Sequence, residues 1–243
     1  ATWIDGLGAL VKVATVVPGN AARGLPTIHG AVTLYDDVTG ALTSLLDFHL
    51  VTKWKTAGDS LLSASRLARK ASRRILLVGA GTVARSMVDA YRALWPGAEF
   101  TVWSRHPATA ASLAVPLGLK VATRLEDAVP EADIICTCTM STEPLIRGDW
   151  LRPGQHLDLI GAYRPDMREV DDAAMARARL FVDARATTVH HIGEIMAPLK
   201  SGAITEASIL ADFYDPPETF TRRSADEITI AKNGGGAHLD LMT

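Results

Sequence analysis

The chain has 243 residues, 48% of them hydrophobic and 21% charged, and a formal net charge of −2. That length suits one large domain or two modest ones with a substantial core. So small a charge gives no electrostatic reason to expect nucleic acid or an anionic membrane as partner. No apolar run approaches the ~20 residues that span a bilayer, and no secretory leader pattern opens the sequence, so a cytoplasmic protein is expected.

Residues 1–50 are β-rich. The run 11–17 has strand character and stops at Pro18-Gly19-Asn20, while 31–35 and 42–46 flank a five-residue loop at 36–40 and predict a hairpin. A helix is expected from Thr56 to Ala68 through Leu61, Leu62, Ala64 and Leu67. It runs into the basic stretch 69–74, read here as a solvated connector.

Residues 74–84 then carry the strongest signal. An apolar strand ends abruptly in Gly79-Ala80-Gly81, and a helix face of Val83, Met87, Val88 and Tyr91 begins at once. This is the setting in which a G-x-G-x-x-G/A pattern has meaning. Gly79 permits the turn, and Gly81 lets a pyrophosphate approach the backbone. Ala84 lets the helix lie close on the strand, and the helix N-terminus offers free N–H groups at Thr82 and Val83. The next strand, 99–103, ends in Ser104-Arg105 with no acid to hold a ribose 2′-hydroxyl. A hydroxyl and a guanidinium fork suit a 2′-phosphate, so NADPH is favoured and NADH is expected to bind more weakly.

The alternation continues with a helix over 108–117, a short strand at 119–122 and a short acidic helix. Strands at 132–139, 156–161 and 179–183 follow, with a helix at 171–178 before the last. The pattern predicts an α/β fold, a doubly wound parallel sheet of Rossmann type. A strand at 227–231 returns and runs into Lys232-Asn233-Gly234-Gly235-Gly236, placed to approach a ligand or another backbone. Cys136 and Cys138 point to the same face of one strand and lack a ligand set around them; they read as buried thiols. The histidines show no metal spacing, so no metal is expected, and no nucleophile elbow is present.

Several strings together resemble the ornithine cyclodeaminase/μ-crystallin family. They are Lys12 with Pro18-Gly19-Asn20, Leu25-Pro26-Thr27-Ile28-His29-Gly30, and Thr52-Lys53-Trp54-Lys55-Thr56-Ala57-Gly58-Asp59-Ser60. The glycine loop, Gly161-Ala162-Tyr163-Arg164-Pro165-Asp166-Met167-Arg168-Glu169, Gly193-Glu194-Ile195 and the stretch from Lys232 to Leu241 complete the set. The resemblance implies a Rossmann domain, expected at 57–204, and a β-rich substrate and dimerisation domain built from 1–56 and 205–243, paired as a homodimer. It also implies an N-terminal helix with a carboxylate-binding arginine, and a final helix, that this sequence does not include.

Within that family Tyr163 stands where cyclodeaminases carry an aspartate. The strings at Trp54, Arg164 and Asn233 look like the ketimine reductase branch. The resemblance thus implies reduction of Δ1-pyrroline-2-carboxylate or Δ1-piperideine-2-carboxylate to L-proline or L-pipecolate with NADPH, in proline metabolism. Lys12 is expected to take the substrate carboxylate, Lys55 to contact substrate or nicotinamide phosphate, and Asp166 or Glu194 to orient substrate or relay a proton. Gly30, Thr139, Met140 and Asn233 join the glycine loop, Ser104 and Arg105 as expected cofactor contacts. The alternatives are cyclodeaminase or alanine dehydrogenase-like activity, and a non-catalytic NADPH-dependent ligand-binding protein of μ-crystallin type.

Overall fold

A computed structural model describes residues 1–243, apart from the side chains of Pro18 and Ala21. The chain divides into two units, Ala1–Thr56 with Gly235–Thr243, and Ala57–Gly234.

The first unit is an antiparallel sheet in the order β1 (Thr2–Ile4), β2 (Gly8–Val16), β3 (Ile28–Tyr35), β4 (Leu42–Asp47). Period-two alternation gives the sheet two faces. Leu10 and Val32 are buried on one, whereas Val13 and Leu45, 55% and 71% exposed, lie on the other. The short helix α8 (Ala237–Met242) packs on β1 and β2. Gly30 sits in β3 where any Cβ would collide with the Val13 carbonyl and the Phe48 ring. The packing of the unit itself therefore demands glycine there.

The second unit holds eight parallel strands. They are β5 (Arg74–Val78), β6 (Glu99–Trp103), β7 (Lys120–Val121), β8 (Ile134–Thr137), β9 (His156–Leu159), β10 (Arg179–Val182), β11 (Ile209–Ala211) and β12 (Thr229–Lys232), in the order β11-β10-β12-β9-β8-β5-β6-β7. Leu76 and Val78 of β5 join one core cluster, and Ile75 and Leu77 the other. Both faces of the sheet are thus covered, which is why β5 and β8 are buried apolar runs and not alternating strands. Helix α2 (Thr82–Leu94) buries Ala84, Met87, Val88 and Tyr91 against the second cluster.

Three differences from the sequence reading have physical causes. Helix α1 (Phe48–Leu67) starts eight residues earlier than Thr56 (56 − 48), because the Asp47 carboxylate accepts the Leu50 N–H at 2.7 Å and caps it. Strand β1 is too short to show a period. Strand β12 pairs with both β9 and β10 in the interior of the parallel sheet, so residues 205–234 belong to this unit and the expected boundary at 205 moves to 235. A four-residue strand looks the same in either sheet, and only its partners decide.

Candidate cofactor and substrate site

The chain runs β5, β6, β7 in one direction across the sheet and then returns to place β8 on the other side of β5. Ligands of such sheets bind beyond the carboxyl ends of the strands at this reversal. Gly79 lies there at φ +109°, where a Cβ would stand 2.6 Å from the Cys138 carbonyl oxygen. Its N–H donates to the Trp103 carbonyl at 2.8 Å, so the turn is held between β6 and β8. Gly81 is the N-cap of α2 and provides no side-chain cap, and nothing lies within 4 Å of where its Cβ would be. The first-turn N–H groups of Thr82 and Val83 thus face open space with a positive dipole end behind them. Ala84 is fully buried, so the helix rides low on the sheet. These features fit the pyrophosphate of a dinucleotide. At the end of β6, Ser104 is half-buried and Arg105 exposed, with no acid between them.

The loops after β8 and β9 are tied together by a residue the sequence reading did not single out. One carboxylate oxygen of Glu169 accepts the Thr139 N–H and hydroxyl, both at 2.8 Å. The other accepts the Thr137 hydroxyl at 2.7 Å and the Gly161 N–H at 2.8 Å. Glu194, in the first turn of α7 (Gly193–Ser201), accepts the N–H groups of Glu169 at 2.7 Å and Val170 at 3.0 Å. Burial and then the neighbouring Glu169 charge push the Glu194 carboxyl up to about 7. Asp158 accepts the Tyr91 hydroxyl at 2.6 Å and is raised by burial to about 6. Asp183 accepts the N–H groups of Gly234 and Ala184 at 2.8 and 2.7 Å. Among these acids lies Lys232, 1% exposed, donating to the carbonyls of Leu159 and Asn233 at 2.9 and 2.8 Å. Burial lowers its pKa, while Glu169, Glu194, Asp183 and Asp158 act to raise it.

The expected site residues divide between the two units. In the first, Lys12 Nζ lies 2.7 Å from an Asp240 carboxylate oxygen and 4.9 Å from the Phe48 ring centroid. Lys55 is buried and donates to the Gly235 carbonyl at 2.6 Å. In the second, Thr139 is held by Glu169, Met140 is 70% exposed beside it, and Asn233 donates to the Ser60 hydroxyl at 3.0 Å. Asp166 is exposed and accepts both nitrogens of the Arg164 fork at 2.9 Å, which holds its carboxyl below the usual range. It is therefore ionised at neutral pH and unsuited to donate a proton. Glu194 is fully buried with both oxygens on backbone N–H groups, so it positions Glu169 and Val170. Glu169 and Lys232 did stand in the strings that carry the resemblance, and that was their only signal in the sequence.

The family model of the ornithine cyclodeaminase/mu-crystallin family matches residues 5–242. The chain belongs to this family. Among its relatives, a Delta(1)-pyrroline-2-carboxylate reductase of Paracoccus denitrificans is 54% identical over 99% of this chain and 78% of its own length. The ketimine reductase mu-crystallin of Mus musculus is 30% identical over 95% of this chain and 72% of its own. The solved structure of the Thermococcus litoralis Delta(1)-pyrroline-2-carboxylate reductase, in complex with NADH and L-proline, superposes with a TM-score of 0.86 at 27% identity, covering 97% of this chain and 77% of that one. An archaeal alanine dehydrogenase dimer with bound NAD superposes with a TM-score of 0.87 at 27% identity, over 97% and 75%. The chain is a nicotinamide-dependent oxidoreductase of this family. Among the described residues no helix is long and apolar enough to cross a membrane.

Proposed function

We propose that the chain reduces a cyclic ketimine carboxylate, Δ1-pyrroline-2-carboxylate or Δ1-piperideine-2-carboxylate, to the cyclic amino acid, with NADPH preferred to NADH. The observation that carries this reading is the open, uncapped α2 N-terminus at the sheet reversal, in a chain 54% identical to a reductase of that substrate. A bound nicotinamide supplies a hydride to the imine carbon. The chain's own residues hold the reactants. Gly81, Thr82 and Val83 take the pyrophosphate through backbone N–H groups. Glu169 fixes the Thr139–Met140 and Gly161 loops beside it. Lys12 neutralises the substrate carboxylate, for which it exchanges or shares its Asp240 partner. A carboxylate held by a fixed cation leaves the adjacent imine carbon oriented for attack.

Oxidation of NADPH and NADH, measured with both cyclic imines and with pyruvate plus ammonia, tests the reading. Turnover of a cyclic imine is expected. Activity confined to pyruvate plus ammonia would assign the chain to alanine dehydrogenase chemistry, and no turnover of any would leave a binding protein. Arg105→Ala should weaken NADPH by about ten- to a hundredfold, the loss of one charge-assisted fork, and NADH far less. Equal losses would remove the NADPH assignment.

The chain also pairs as a homodimer through the exposed apolar face of the four-stranded sheet, where Val13 and Leu45 lie. Leu45→Glu should turn a dimer in light scattering into a monomer; an unchanged mass would place the interface elsewhere.

A further inference from the structure

The parallel sheet has a second end. Opposite the glycine loop, where α1 finishes and the strands β5 and β12 begin, lies an open recess of about 340 Å³. Five cations line it, Arg66, Arg69, Lys70, Arg222 and Arg223, together with three hydroxyl side chains and two alanines, and no acidic side chain.

Two of the cations have structural duties. Arg69 pairs with Asp133 at 2.9 Å. Arg222 directs its guanidinium to the carbonyls of Leu67, Gln155, Ser224 and Glu227 and to the Thr229 hydroxyl, closing the carboxyl end of α1. That accounts for its place, yet its charge meets carbonyls and not a carboxylate. Glu227, whose charge acts on Arg222, accepts the backbone N–H of Arg223 at 2.8 Å and lies 3.6 Å from Arg179. Arg69 in turn acts on Arg222 as a like charge.

The other three have no such duty. Arg66 lies 5.9 Å from the ring centroids of Phe213 and Phe220, which fix it without neutralising it. Lys70 and Arg223 are exposed, and neither side chain makes an ion pair among the described residues. A connector that was only solvated would mix signs, because like charges brought together cost free energy. Here two chain segments remote in sequence, 65–70 and 221–225, bring their cations to one concavity with no acid in its wall.

We propose that this recess is a binding site for a small multivalent phosphate-bearing anion, separate from the cofactor crevice and held by Arg66, Lys70 and Arg223. Guanidinium forks match phosphate oxygens in pairs, and Lys70 adds a point charge. Arg222 and Arg69, already anchored, set a positive field that requires no reorganisation on binding.

Calorimetric titration with tripolyphosphate tests the site, using the full chain saturated with NADPH so that the cofactor crevice is filled. One saturable site per chain is expected. The single variants Lys70→Gln and Arg223→Gln should each weaken it several-fold, and the double variant at least tenfold, with NADPH affinity unchanged. ATP in place of tripolyphosphate separates two sources of the same chemistry: equal binding means that phosphates alone are read, and tighter binding that a nucleoside is held as well. Citrate distinguishes the class. If citrate binds as tightly as tripolyphosphate, the recess reads charge alone and the phosphate assignment falls. Absence of saturable binding, or variants that bind like the wild type, overturns the site altogether.

Discussion

The two units treat buried charge in opposite ways. The antiparallel unit pairs a cation directly with a carboxylate, Lys12 with Asp240, at 14% and 6% side-chain exposure. The parallel unit buries Asp158, Glu169, Asp183 and Glu194 around Lys232, all at 1% exposure or less. A buried ion pair gains little over an apolar pair of the same shape, because desolvation offsets the attraction. Buried acids that cluster together need more than an attracting cation, and here the backbone contributes. Glu169, Glu194 and Asp183 accept N–H groups at the carboxyl ends of the strands, from Thr139, Gly161, Glu169, Val170, Ala184 and Gly234. The acids fix loops. The lysine–aspartate pair holds a cation that, in the function proposed above, meets the substrate carboxylate.

If that contrast is right, removing the lysine buried among those acids should have the largest effect. Lys232→Met leaves the Leu159 and Asn233 carbonyls without their lysine donor and removes a positive charge that acts on four buried acids, a loss of about 3–5 kcal/mol. Urea denaturation reads it directly. A loss below about 1 kcal/mol would mean that backbone N–H groups alone suffice for the acids.

The corresponding change in the antiparallel unit should fall on catalysis. Lys12→Ala is expected to raise KM for the cyclic imine and lower kcat/KM by about tenfold or more, since binding energy that positions substrate is removed. If kcat/KM is unchanged, the carboxylate site lies elsewhere and the contrast between the units is only structural.

Per pH unit the smallest effect, and the most diagnostic, is in pH dependence. Glu194 titrates near 7 in the folded chain, against 4.5 as its ordinary value. Between those values the native state keeps a proton that the unfolded chain has released, so this group's contribution falls as pH rises through that window. His156 acts in the other direction. It is buried and lowered to about 3, so its contribution is lost as pH falls below 6.5. Glu194→Gln should therefore remove a downward slope of at most about 1.4 kcal/mol per pH unit between pH 4.5 and 7, leaving the His156 slope in place. Parallel stability curves for variant and wild type would show that Glu194 is already ionised in the fold.

Much of the fold could be read from the chain because its signals are local. The glycine turn after an apolar strand, the buried face of α2, the β3–β4 hairpin and the alternation of strand and helix each depend on residues within a few turns of one another. The missing acid after β6 was equally local. Lys12 and Lys55 came from strings whose meaning lies in resemblance, and no spacing in this sequence distinguishes them from surface lysines.

What the sequence by itself determined is the glycine loop, the strand–helix alternation and the choice of residues at Ser104 and Arg105, since each follows from the conformation of a short segment. Only the tertiary structure decided that β12 lies between β9 and β10, that Glu169 joins two loops, and that Glu194 supports it from beneath. It also gathered five cations from either side of residues 71–220 into one recess. Those facts depend on pairings between segments far apart in the chain. A four-residue strand or a lone glutamate has the same local pattern wherever it is finally buried, so the partner sets its role.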